Sequence, residues 1–359
     1  MKAVVRRGTK LEVDHNYKTP EPGDGQVLVR TLCCGICGSD LHALHHLDHV
    51  TEIAKRSGAL SSLDAAHDVV FGHEFCAEIV DYGSGCSKLL KAGQRVISMP
   101  FAAGPAGMEW VGYSNYFPGG FAEFMVLQEA MLLKVPNGLP AEAAALTEPL
   151  SVGRHAVNKA RMTKSDVAMV IGCGPVGLAV ISALKRDGIG PVVASDFSVE
   201  RRAAAERMGA DIIVDPACNS PHNHWTDLGV APTLAEAASK AALGQKGKGA
   251  VIFECVGVPG LIQSLVLNAP PTSRIVVAGV CMTEDRIEPA VAINKEISLQ
   301  FVLAYDADEF QSCLRDIADA KIDIDALLSE TVGFEDVANT FERLENEASL
   351  VKVMVSPLR

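Results

Sequence analysis

The chain has 359 residues, 48% hydrophobic and 21% charged, with a formal net charge of −12. That length suits about two domains of ordinary globular make-up, each large enough to bury its own core. It excludes a disordered chain, a coiled coil and a collagen-like repeat, and the acidic balance argues against nucleic acid or an anionic membrane as partner.

The start, Met1-Lys2-Ala3-Val4-Val5, runs into Arg6 and Arg7 with no apolar leader core. Ten cysteines behind such a start point to free thiols in a reducing compartment, so a cytoplasmic location is expected. Residues 1–32 read as strands, with Val27, Val29 and Thr31 alternating with Leu28, Arg30 and Leu32. Residues 33–75 are dense in Cys, His, Asp and Glu and are expected to contain a helix over Thr51–Ala66. Residues 76–128 read as strands and loops, and Ala141–Leu146 and Ser151–Lys159 as helices.

The pattern then changes to short apolar runs alternating with amphipathic stretches. Strands are expected at Val167–Ile171, Val192–Ser195, Ile212–Val214, Ala250–Glu254 and Arg274–Ala278. Helices are expected between them at Val176–Lys185, Val199–Met208, Leu234–Ala242 and Leu261–Leu267. Apolar strands joined by helical crossovers imply a parallel sheet covered on both faces. The uncharged run Val167–Leu184 is no membrane span, because Gly172, Gly174, Pro175 and Gly177 cut it into a strand and a helix. From about Glu296 the character is mixed again, with helices near Glu309–Ala318 and Phe334–Asn346 and a strand at Val351–Val355. The parallel-sheet domain is therefore read as an insert within a β-rich domain.

Gly172-Cys173-Gly174-Pro175-Val176-Gly177 places G-x-G-x-x-G between a strand and a helix. The first glycine allows the turn, the second lets a pyrophosphate approach the backbone, and the third packs helix on strand. The helix amides then face the phosphates. Asp196 ends the next strand, nineteen residues after Gly177, where an acid meets the adenosine ribose. A carboxylate there accepts from the 2′-hydroxyl and repels a 2′-phosphate, so NAD is expected over NADP, a preference that Arg201 and Arg202 could soften.

A second signal is independent. Cys37 lies in Gly35-Ile36-Cys37-Gly38-Ser39-Asp40-Leu41-His42; Gly72-His73-Glu74 and Glu148-Pro149-Leu150 follow. Thiolate, imidazole and carboxylate drawn from distant segments suit zinc in an open site more than a zinc finger. Cys34 and Cys37 also form one C-x-x-C, so a redox pair is the alternative.

Together with Phe253-Glu254-Cys255-Val256-Gly257, these motifs resemble, nearly end to end, the zinc-dependent medium-chain alcohol/polyol dehydrogenases. The resemblance implies an α/β protein: a β-rich GroES-like catalytic domain at 1–153 and 296–359, and a Rossmann doubly wound parallel-sheet domain at 154–295. It implies an NAD-linked oxidoreductase interconverting an alcohol or polyol and its carbonyl compound; a zinc-free quinone or enone reductase on the same fold is the alternative. Cys37 and His73 match zinc ligands. Glu74 and Glu148 match acids of which either can be the third protein ligand, and Asp40 would orient the histidine. Ser39 would take the alcohol proton and His42 release it. Gly172, Gly174, Pro175, Val176, Gly177, Asp196 and Arg201 match the adenosine and phosphate side of the cofactor site; Val256, Gly279 and Val280 match the nicotinamide side. A homodimer or homotetramer is expected.

The departures matter too. Ala77 stands where the family has glycine. Met99–Phe124 contains none of the four cysteines that hold a structural zinc in many relatives, so one catalytic zinc is expected. Met108, Trp110, Tyr113, Tyr116 and Phe117 in that stretch are expected to pack a lobe or subunit contact rather than line a pocket. Residues 43–71, with His45, His46 and His49, are either a lid or plain surface, and a second metal at those histidines is a minor alternative.

Overall fold

Alternating apolar residues in the N-terminal third pair as antiparallel strands, as their period of two requires. The computed structural model describes residues 1–58, 63–105, 107–136 and 138–359. Its contacts divide the chain into two units: 1–148 with 310–319 and 328–359, and 149–309 with 320–327.

The first unit begins with β1 (Ala3–Arg7), β2 (Lys10–Asp14), β3 (Gln26–Gly35), α1 (Gly38–Arg56), β4 (Glu74–Tyr82) and β5 (Arg95–Ser98). It continues with β6 (Phe101–Gly104), β7 (Gly107–Trp110), β8 (Phe124–Gln128), β9 (Leu132–Lys134) and α2 (Ala141–Ala145). Helix α3 (Thr147–Ala160) leads into the second unit. There follow β10 (Asp166–Ile171), α4 (Pro175–Arg186), β11 (Val192–Ser195), α5 (Val199–Arg207), β12 (Ile212–Val214) and α6 (Leu234–Ala242). Next come β13 (Gly249–Glu254), α7 (Leu261–Asn268), β14 (Arg274–Val277), α8 (Pro289–Asn294) and β15 (Ser298–Phe301). After α9 (Ala307–Ala318), the chain completes the first unit with β16 (Leu328–Val332), α10 (Val337–Asn346) and β17 (Lys352–Val355).

The sheet of the first unit runs β16-β17-β3-β4-β5-β9, with β8 also on β3. Strand β3 is its hub. Its Gln26–Arg30 portion pairs β8, and Cys34 and Gly35 pair β17; β4 lies along the other edge, with Gly35 opposite Glu74. Segments far apart in sequence thus meet where β3 ends. Val27, Val29, Phe71, Phe75, Ile79, Phe121, Met125 and Phe341 form the core behind them.

The second unit is a six-stranded parallel sheet in the order β12-β11-β10-β13-β14-β15. Counted along the chain this is 3-2-1-4-5-6, the doubly wound order whose direction reverses between β10 and β13. Val167, Met169, Val193, Ile252, Ile275 and Trp225 fill its interior.

Two expectations are corrected. The helix expected at Thr51–Ala66 instead runs Gly38–Arg56, with a non-helical backbone at His46. A reciprocal cap starts it: the Cys37 side chain accepts from the Asp40 amide, and the Asp40 carboxylate accepts from the Cys37 amide. Part of the expected helix, residues 59–62, lies outside the described residues. The boundary expected at 295 is also too early, because β15 pairs with β14 and the compact unit extends to Glu309.

Candidate metal centre and dinucleotide cradle

Cys37 follows β3, His73 immediately precedes β4, Glu74 opens it and Lys352 opens β17, so the hub of the first sheet brings them together. Metal-ligating atoms of Cys37, His73 and Glu74 all lie within 4.8 Å of one another. Glu148 is not part of that triad, although its charge acts on Lys352. Among the described residues, His45, His46 and His49 form no such cluster; His45 instead pairs with Glu345 at 3.2 Å.

Both oxygens of Glu74 accept from the Lys352 ammonium at 2.7 Å, in a pair that is 1% exposed on each side. Lys352 also donates to the Ile36 carbonyl. Burial opposes the lysine charge, but Glu74 outweighs it and its pKa rises. A side chain at Gly35 would collide with the Glu74 carboxylate, so this close approach requires glycine.

His73 Nδ1 faces Asp40 Oδ1 at 3.5 Å, too long for a good hydrogen bond, and has no other partner. Burial works against a charged His73 ring, yet Asp40 and Cys37 prevail and raise its pKa well above the ordinary value. Asp40, Glu74 and Glu148 are all buried, and Lys352 places a buried ammonium on Glu74. Sulfur, imidazole and carboxylate donors gathered this closely fit a divalent cation of the zinc type.

Ser39 and His42 stand three apart on the first turns of α1 and share a face. Burial, then His46, lower the His42 pKa, with Glu345 opposing. Tyr113 corrects an expectation. It does not merely pack the lobe: its hydroxyl lies 3.0 Å from Ser39 Oγ and 2.9 Å from Asp40 Oδ1, and its ring centroid is 5.5 Å from that of His73. Burial, then the charges of Asp40 and Cys37, push the phenol pKa well up. Elsewhere in the lobe Trp110 packs on Phe101 at 4.3 Å, Phe117 is buried and Ser114 donates to buried Glu109 at 2.6 Å, while Met108 and Tyr116 are exposed. Cys34 is buried, and its thiol, raised first by burial and then by Asp40, is no activated redox partner for Cys37.

The second unit carries the cradle. Gly172 ends β10 at φ +90°, and a side chain on Gly177 would run into the Gly172 carbonyl. Gly174 caps α4, with Pro175 and Val176 in its first turn. Asp196 receives the Cys173 amide at 2.7 Å and the Ser198 amide at 2.8 Å. Arg202 donates to the Asp196 and Phe197 carbonyls and pairs with Asp215, while Arg201 enters α5 with its amide on Ser198. Across the switch point, buried Glu254 accepts the amides of Val256 and Gly257 at 2.7 and 2.8 Å. Gly257 packs on Val280, and Gly279 on the Gly257 and Val256 amides, so the nicotinamide-side residues adjoin one another.

Comparison with known proteins decides the family. Residues 23–137 match the alcohol dehydrogenase GroES-like domain and residues 175–319 the zinc-binding dehydrogenase domain. The (R,R)-butanediol dehydrogenase of Bacillus subtilis is 32% identical, covering 99% of this chain and 100% of that protein. Sorbitol dehydrogenase of Bos taurus is 28% identical, covering 95% and 91%. The crystal structure of 2R,3R-butanediol dehydrogenase from Bacillus subtilis superposes with a TM-score of 0.78 at 28% identity, over 99% of each chain.

The chain belongs to the zinc-dependent medium-chain alcohol dehydrogenases.

As a member of that family it is an oxidoreductase of alcohols or polyols using zinc and a nicotinamide cofactor, and a zinc-free reductase is not favoured. Among the described residues, no helix of this dehydrogenase is long and apolar enough to cross a membrane. Sequence reasoning missed three residues. Lys352 announced itself only as one charge in an apolar strand. Glu254 was quoted in a motif without a role. Tyr113 is 74 residues from Ser39, and no local signal links them.

Proposed function

We propose that this dehydrogenase oxidises a diol or polyol at a secondary carbon with NAD, and reduces the matching ketone. The butanediol and sorbitol dehydrogenases among its relatives support the substrate class. The observation that carries the reading is the Cys37–His73–Glu74 cluster, whose ligand atoms lie within 4.8 Å of one another. When bound, zinc supplies Lewis acidity toward the alcohol oxygen and NAD accepts the hydride.

Cys37 and His73 would hold the ion. Glu74, restrained by Lys352, and Glu148 are the candidates for the third protein ligand. Asp40 would accept from His73 and fix its ring. Ser39 would receive the substrate proton, and His42, kept neutral by its lowered pKa, would pass it to solvent. Gly172, Gly174, Pro175, Val176 and Gly177 would cradle the pyrophosphate. Asp196 and Arg201 would flank the adenosine ribose, while Val256, Gly279 and Val280 would border the nicotinamide. Asp196 favours NAD over NADP, and Arg202 is already committed to carbonyls and Asp215.

We further propose one zinc per chain, since the lobe is held by Phe101–Trp110 and Glu109–Ser114 contacts and Met99–Phe124 contains no cysteine. Edge strand β15 and the exposed Phe301 and Leu303 support a homodimer, or a homotetramer built from it. Ten free cysteines support a cytoplasmic location.

The test is metal analysis of dialysed protein together with initial rates on (R,R)-2,3-butanediol and sorbitol with NAD and NADP. One zinc per chain, and NAD-linked turnover lost on chelation, is the expected result. Two zincs per chain would overturn the single site. Turnover that survives complete metal removal would overturn the zinc chemistry.

A further inference from the structure

The Tyr113 hydroxyl carries one hydrogen and has two neighbours. Asp40, as a carboxylate, only accepts, so the phenol donates to Asp40 Oδ1 at 2.9 Å. The phenol is also the donor in the 3.0 Å contact to Ser39 Oγ, so its one hydrogen is shared between the serine and Asp40. One phenol thus ties Ser39 Oγ and Asp40 Oδ1 together. The same phenol fixes Asp40 Oδ1, the oxygen that faces His73 Nδ1 at 3.5 Å, while Asp40 Oδ2 is held by the Cys37 amide at 3.0 Å.

We propose that Tyr113 is a positioning residue that fixes Ser39 Oγ in place and holds Asp40 behind the metal-binding histidine. The phenol neither gains nor loses a proton overall. It acts through two residues on α1, from a loop after β7 that takes its shape from its own contacts. Asn115, two positions on, exchanges hydrogen bonds with the Asp64 amide and the Asp64 and Asp68 carbonyls, tying that loop to the segment before β4. The geometry gives Tyr113 a fixed platform rather than a mobile one. This inference rests on the reading of Ser39 as the proton acceptor.

Removing the hydroxyl alone, in Tyr113→Phe, preserves the ring packing on Phe71 and His73. Four proteins are compared with NAD and (R,R)-2,3-butanediol or sorbitol as probes: wild type, Y113F, S39A and the double variant. Orientation of a proton acceptor is expected to be worth ~10-fold of the 10²–10⁴-fold typical of acid–base catalysis. Y113F should therefore lose about tenfold in kcat, with KM for alcohol and NAD within roughly twofold. The double variant should be no slower than S39A, because the tyrosine acts through that serine. Unchanged kcat in Y113F, or losses that multiply in the double variant, would overturn the proposal. A second arm needs no substrate: zinc affinity of the metal-free proteins, measured by competition with a coloured chelator. Y113F should weaken zinc several-fold, toward the lower end of the ~10–100-fold seen when a partner of a ligating histidine is removed. If wild type turns over neither alcohol, the functional reading fails and Tyr113 stands or falls on this arm: weaker zinc supports it, equal affinity overturns it.

Discussion

The two units solve opposite problems with opposite materials. The first gathers side chains: a thiol, an imidazole, three buried carboxylates and an ammonium, delivered by strand and helix ends, the ammonium from 278 residues beyond Glu74. The second presents backbone: glycine turns and helix amides, with Asp196 and Glu254 spent on tying down neighbouring amides. A site made of side chains is tuned by substitution and is costly to hold together, because buried charges must be balanced. A site made of backbone tolerates varied side chains but none where the main chain makes close contact.

That contrast can be broken by removing one material at a time. Cys37→Ala should abolish zinc binding and, with it, several kcal/mol of catalysis, lowering turnover by at least ~10³-fold. NADH binding, followed by fluorescence, should be unchanged; a parallel loss of NADH affinity would show that the two sites are not separable. Lys352→Met comes next. It leaves Glu74 buried without its counter-charge, so stability should fall by about 3–5 kcal/mol in urea titration. Adding Glu74→Leu should recover most of that loss, and failure to recover would mean Lys352 has a role beyond neutralising Glu74. Gly177→Ala is the mirror experiment. Its methyl meets the Gly172 carbonyl, and overpacking of this sort costs about 1–3 kcal/mol, so NADH affinity should drop roughly 10- to 100-fold while zinc content stays intact.

The smallest effect is a pH dependence confined to the second unit. Burial, then Lys295, lower the His222 pKa to about 4, and its Nδ1 accepts from the Trp225 indole at 3.3 Å. The native state thus resists a proton that the unfolded chain binds near 6.5. No penalty exists above that pH; it grows as pH falls from about 6.5 to 4 and is complete below. His222→Gln, which keeps an acceptor for Trp225, should flatten this slope in denaturation curves taken across the window.

The sequence revealed the two materials unequally. Backbone chemistry was legible because it is local: strand, glycine turn, helix and Asp196 follow one another within a few tens of residues, and every strand expected between Val167 and Ala278 formed. Metal donors were legible as residue types. Their supports were not, because Lys352 reaches Glu74 across 278 residues and Tyr113 reaches Ser39 across 74. The helix at 38–56 was misplaced for a related reason. Cys37 and Asp40 read as metal chemistry, while their reciprocal cap, which starts that helix, went unread. β15 was assigned to the wrong domain because the stretch from Glu296 reads as mixed, so the strand at 298–301 was not recognised as part of the sheet.

Strand β17 has a consequence for how the protein is made on the ribosome. It slots between β16 and β3, yet it is translated only after the whole parallel-sheet insert. Vectorial synthesis therefore favours an insert that finishes first, while the older half of the β-rich unit waits with a gap beside β3. Until Lys352 emerges, the Glu74 carboxylate has no ammonium to meet, and water must keep it company. Metallation competence is then a late event in the life of each polypeptide, arriving with the strand that closes the sheet.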